Sequence, residues 1–105
     1  MGRLSPKDVK MMRRNAGEAA SMLRVLSHEV RLSVLCDLLA GERTAGALVA
    51  SSGLSQSALS QHLAKLREEG LVTTRREAQT IFYRVADPKV ERLISMLHEL
   101  YCKRN

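Results

Sequence analysis

Apolar residues recur along the chain at helical spacing in several separate stretches, and the residues between those stretches read as stops and starts. Val9, Met12, Ala16, Ala19, Leu23 and Leu26 follow one another at three- and four-residue steps, the pattern that lines one face of an α-helix. Ser5-Pro6-Lys7-Asp8 stands before the stripe with a capping hydroxyl, a proline suited to the first helical position and an acid in the first turn. A helix is therefore predicted over about 6–26. Leu32, Leu35, Leu38 and Leu39 form a second stripe, which predicts a helix capped by Ser27 that runs to Ala40 and stops at a left-handed Gly41.

Thr44 is placed to cap a short helix over 45–51, Gly53 to allow a tight reversal, and Ser55 to cap another helix that ends at Gly70. Two helices joined by a short glycine-bearing turn make a helix-turn-helix, here over about 44–69. Leu71–Arg76 and Thr80–Ala86 then read as two strands around Glu77-Ala78-Gln79, a hairpin or wing over about 71–86 with a polar, basic tip. Asp87-Pro88 repeats the cap-plus-proline start. Val90, Leu93, Ile94, Leu97, Leu100 and Tyr101 continue it as an amphipathic final helix over about 88–104. The expected architecture is mainly α with a small β-hairpin: a winged helix-turn-helix of about five helices plus a two-stranded wing, in one domain spanning 1–105.

Composition narrows the class. A chain of 105 residues, 45% hydrophobic, with one Phe, two Tyr and no Trp, must build its single core from Leu, Val, Ala and Met, which suits packed helices. A formal net charge of +6 attracts polyanions such as nucleic acid. No stretch offers about 18 uninterrupted apolar residues, and MGRLSPKDVK lacks the apolar run of a secretory signal, so a cytoplasmic location without membrane contact is expected. In a reducing compartment the two cysteines read as buried fillers or reactive thiols rather than a permanent staple. With no phosphate-cradling glycine loop, paired carboxylate site or nucleophile triad, the sequence does not read as an enzyme, and it calls for no cofactor.

The most informative stretch runs from Leu54 to Leu66. Leu59, Leu63 and Leu66 fall on one side of its helix, with Ser57, Ser60, Gln61 and Ala64 roughly opposite. That outer face is polar but nearly uncharged, whereas a merely solvated helix usually carries Lys and Glu there. Short hydroxyls and amides suit a helix entering the major groove: Gln56 and Gln61 can pair bidentately with adenine, and Ser57 and Ser60 with bases or phosphates. Lys65 in the helix, and Arg75, Arg76, Gln79 and Thr80 in the wing, are the expected backbone contacts; Arg67 and Arg84 add charge. His62, beside the leucine stripe, reads as a packed or hydrogen-bonded histidine rather than a metal ligand. A helical hairpin serving only packing or protein contact is the competing reading of the segment.

The stretch LSQSALSQHLAKLREEGLVTTRRE followed by IFYRV, within a match from about Leu26 to Val85, closely resembles the ArsR family of winged-helix repressors. The resemblance implies a homodimer in which the first and last helices pack across a two-fold axis and present two recognition helices to a palindromic double-stranded operator. Metal-sensing motifs of that family are not matched. Thr44, Ala45 and Gly46 stand where arsenic and cadmium sensors carry a Cys-x-Cys type motif. The final helix offers only Asp87, Glu91, His98 and Glu99 against the Asp/His/His/Glu set of zinc and cobalt sensors.

What remains is Cys36 in the second helix and Cys102 in the last, 66 positions apart. The reactive-sulfur-sensing BigR/SqrR branch of the family carries one cysteine in each of these helices. That likeness implies that a persulfide donor modifies one thiol, that the other resolves it, and that a disulfide or polysulfide bridge follows, releasing the operator. Lys103 and Arg104 beside Cys102 favour its thiolate, while the helix end opposes it. The alternatives left open are a metal-responsive or constitutive regulator of the same fold, and a core-filling Cys36 with a bystander Cys102.

Overall fold

The computed structural model describes residues 3–102 and contains five helices and three strands. Helix α1, Pro6–Leu26, opens on a complete capping box: the Ser5 hydroxyl accepts from the Asp8 N–H at 3.1 Å, and the Asp8 carboxylate accepts from the Ser5 N–H at 3.1 Å. Helix α2, Glu29–Leu39, starts one residue later than expected. Ser27 closes α1, its N–H bonding the Arg24 carbonyl, and His28 is the N-cap, with Nδ1 accepting from the Val30 N–H at 3.1 Å. An imidazole nitrogen does here what a hydroxyl was expected to do.

Strand β1, Arg43–Thr44, leads directly into α3, Ala45–Ser52, whose N-cap is the same Thr44. Gly53, at φ +74, turns the chain in the left-handed region, and Ser55 caps α4, Gln56–Glu68, through the Ala58 N–H at 3.2 Å. Ser52 stitches the turn, accepting from the Leu54 N–H and donating to the Val49 carbonyl. Strands β2, Val72–Glu77, and β3, Thr80–Val85, form the antiparallel wing, closed by Ala78 and Gln79 with Ala78 at φ +55. The wing is not two-stranded alone. β1 pairs with β3 through Arg43 opposite Tyr83 and Thr44 opposite Phe82, giving the sheet order β1-β3-β2. Helix α5, Pro88–Tyr101, is capped by Asp87, which accepts from the Lys89 N–H at 2.8 Å, and ends at Cys102. The last turn expected over 102–104, with Lys103 and Arg104, lies outside the described residues beyond Cys102.

One core joins α2, α3, α4, α5 and the wing base, with only the end of α1 taking part. Val34, Leu35 and Leu38 from α2, Leu48 from α3, Leu59, Leu63 and Leu66 from α4, Leu71 and Val72 at the wing base, and Val90 and Ile94 from α5 are all buried. Helix α1 contributes Val25 and Leu26 to this core, with Met22 packed partly against it. Its stripe otherwise faces outward, with Met12 49% and Leu23 54% exposed, and Leu100 on α5 is 67% exposed. The protruding helix draws the molecule out to 51 × 35 × 23 Å, with a radius of gyration of 15.9 Å, where a compact chain of this length has about 13 Å. A groove of about 530 Å³ runs between α1 and α5, lined by Met12, Ala19, Met22, Leu23 and Leu93 among others. No helix among the described residues is long and apolar enough to cross a membrane.

Candidate nucleic-acid interface and thiol pair

The two faces of α4 separate cleanly. Leu59 and Leu66 are wholly buried and Leu63 nearly so, which anchors the helix against α2, α3 and the wing base. Gln56, Ser57, Ser60, Gln61 and Ala64 are exposed on the other side. Fixing the inner face at i, i+4 and i+7 sets which way the helix faces, so the outer hydroxyls and amides form a polar ridge toward solvent. Lys65 is half-buried and pairs with Glu69 one turn on, at 3.5 Å.

The wing rises beside this ridge. A depression of about 400 Å³ between α4 and the sheet is lined by Ser60, Leu63, Ala64, Arg67, Glu68 and Tyr83. Strand alternation then sorts the wing residues between its two faces. Arg76 stands opposite Ile81, on the face that Tyr83 turns toward α4, and its Nε donates to the Ala78 carbonyl at 3.2 Å. Arg75 stands opposite Phe82 on the other face. There its guanidinium lies 4.4 Å over the Phe82 ring, with Nε bonded to both oxygens of Glu42 at 2.9 and 3.0 Å and Nη1 to Glu77 at 2.7 Å. These carboxylates, Glu77 first and then Glu42, raise the Arg75 pKa above its ordinary value. Gln79 and Thr80 are exposed at the tip.

His62 occupies the seam between α4 and α2. Arg31 donates through Nε to His62 Nδ1 at 3.2 Å, and the His28 ring lies 4.3 Å away at 57°. Burial first, then the charges of His28 and Arg31, push the His62 pKa below its ordinary range. Sequence reading gave His62 its packed role but did not find Arg31 or His28 as its partners. Nor did it find Glu42, 33 positions before Arg75, because nothing in local spacing announces a pair formed across a sheet.

Cys36 on α2 and Cys102 at the end of α5 are both free and exposed. Partial burial pushes the Cys36 thiol up, and the Cys102 and Asp37 charges push the same way; the helices that bear the two cysteines, α2 and α5, pack against one another. Asp37, next to Cys36, accepts a 2.7 Å bond from the Ser51 hydroxyl, tying α2 to α3. Among the described residues no group of three His, Cys, Asp or Glu side chains is placed to hold a metal ion.

A capped short helix, a glycine turn, an exposed polar helix and a basic wing define a winged-helix DNA-binding transcriptional regulator. Residues 28–74 match the model of the bacterial regulatory proteins of the arsR family. The chain is 46% identical over 101 residues to the transcriptional activator HlyU of Vibrio cholerae, a match covering 96% of this chain and 94% of that protein. Its fold superposes on the structure described as reduced HlyU from Vibrio cholerae with a TM-score of 0.84 and 48% identity, covering 90% of this chain and 99% of the other. On the transcriptional repressor BigR from Xylella fastidiosa the TM-score is also 0.84, with 41% identity over 90% of this chain and 97% of the other. This chain belongs to the arsR family, in the BigR-like branch, and is a regulator rather than an enzyme.

Proposed function

We propose that this protein is a repressor that holds a palindromic operator as a homodimer and leaves it when reactive sulfur joins Cys36 to Cys102. The observation that carries the switch is the thiol pair: two free, exposed cysteines at helices α2 and α5, which pack against one another. Gln56, Ser57, Ser60 and Gln61 read base edges, while Lys65, Arg76, Gln79 and Thr80 meet the backbone. The outward stripes of α1 and α5 pack against a second copy.

The chemistry balances with a persulfide as oxidant. The Cys102 thiolate attacks the outer sulfur of a low-molecular-weight persulfide and becomes Cys102–S–SH, and the donor leaves as its thiol. Cys36 then loses its proton, and its sulfur attacks the inner sulfur of Cys102–S–SH. The S–S bond to Cys36 forms and hydrosulfide departs. Two thiols are oxidised by two electrons, and the sulfane sulfur is reduced to sulfide. Linking α2 to α5 pulls on the helix pair that sets the spacing of the two recognition helices, and any spacing other than one duplex turn weakens binding.

The test uses wild type, Cys36→Ser and Cys102→Ser proteins on a palindromic duplex, each exposed separately to glutathione persulfide and to zinc. All three bind untreated, and persulfide releases only wild type. Release of either variant by persulfide, or release of wild type by zinc alone, contradicts the reading.

A further inference from the structure

The wing carries two adjacent arginines on opposite faces of one strand, and their surroundings differ in kind. Arg76 shares its face with Tyr83 and hence with the α4 side of the sheet. Arg75 faces away from α4, and three groups already hold it: the Glu42 carboxylate, the Glu77 carboxylate and the Phe82 ring. Arg75 and its two acids sum to one net negative charge. A phosphate approaching that cluster meets repulsion, and would have to displace an Nε shared between both Glu42 oxygens and an Nη1 held by Glu77.

Glu42 also gives the cluster a mechanical consequence. It stands immediately before β1, and β1 ends at Thr44, the residue that caps α3. The bond from Arg75 to Glu42 therefore fastens the outer strand of the wing across β3 to the root of the helix-turn-helix. Without it, β2 keeps its ladder to β3 and the packing of its Val72 end in the core, but the outer half of the hairpin loses its tie to the segment before β1.

We infer that Arg75 is a positioning residue that sets the angle of the wing against the helix-turn-helix through Glu42 and Glu77, and that Arg76 supplies the wing's phosphate contact. This rests on the proposed reading that the wing touches operator DNA. The assignment reverses a sign that simple electrostatics fixes. Removing the Glu42 charge from a DNA-binding surface ordinarily tightens binding; here it loosens the wing and weakens binding.

The experiment compares wild type, Glu42→Gln, Arg75→Lys and Arg76→Gln by fluorescence anisotropy on a palindromic duplex across a salt series. Amide hydrogen exchange of each free protein is measured alongside. Glu42→Gln and Arg75→Lys are expected to weaken binding several-fold while keeping the wild-type salt slope, whereas Arg76→Gln lowers the slope by about one. In the free proteins, exchange in 72–85 quickens for Glu42→Gln and Arg75→Lys and not for Arg76→Gln. Tighter binding by Glu42→Gln, a salt slope that falls in Arg75→Lys, or unchanged hairpin exchange in both clamp variants would each overturn the inference. The exchange readout needs no DNA, so it separates failure of the clamp from failure of the wing to reach the operator.

Discussion

Arg31 donates through Nε to Nδ1 of His62 at 3.2 Å, and the same guanidinium reaches the Val25 carbonyl through Nη1 at 2.9 Å. One side chain thus ties together the end of α1, the start of α2 and the middle of α4. Because Arg31 can only donate, His62 must accept at Nδ1, which fixes the neutral tautomer with its proton on Nε2. The helix that bears Cys36 is joined to α4 by this contact.

Stability should fall as the solution is acidified through the range where His62 takes up a proton. The folded pKa of His62 lies below its ordinary 6.5, first because of burial and then because of His28 and Arg31. The unfolded chain therefore binds the proton more readily than the folded one. The contribution of this site is full above about pH 6.5 and is lost as pH drops through the lower folded value. Urea unfolding between about pH 7.5 and pH 5 should show that slope in wild type and a shallower one in His62→Gln, whose side-chain oxygen still accepts from Arg31. Equal slopes would remove His62 as the source.

Leu23 lies on the outward stripe of α1, beside the groove that α1 forms with α5. In a two-fold dimer each substitution counts twice, so Leu23→Glu loses apolar contact and places a carboxylate in the interface on both sides. Sedimentation velocity should show the dimer weakened at least about 100-fold, with the monomer still folded because Leu23 is outside the core. A variant that sediments as wild type would mean that this face is not the interface.

Much of the fold was legible because its signals are local. Ser5, Thr44, Ser55 and Asp87 each cap the helix expected of them, and the leucines of α4 face inward as their spacing requires. The start of α2 was misplaced because His28 is an uncommon cap and Ser27 is a favoured one. β1 escaped notice because two residues, Arg43 and Thr44, are too few to display an alternation.

The candidate site was legible in its outward helix and opaque in its clamps. That Gln61 is exposed and Leu63 buried follows from helix geometry alone. That Arg75 meets Glu42 and Phe82 depends on how three strands align, and Arg31 meeting His62 depends on how two helices cross. Neither is written in spacing. The cysteines were found by counting, but their nearness required the docking of α5 on α2.

The polar outer face of α4 carries the account, and Gln61 tests it most directly. Binding of wild type and Gln61→Ala should be measured on a palindromic duplex selected from a random pool and on a scrambled duplex of the same length, at fixed salt. Loss of one bidentate base contact in each protomer, each worth about 1–3 kcal/mol and so at least about 2 kcal/mol for the dimer, should cut the preference for the selected duplex by at least about 30-fold while leaving scrambled binding unchanged. If Gln61→Ala keeps the full preference, or if wild type never prefers the selected duplex, the reading helix has been assigned to the wrong surface.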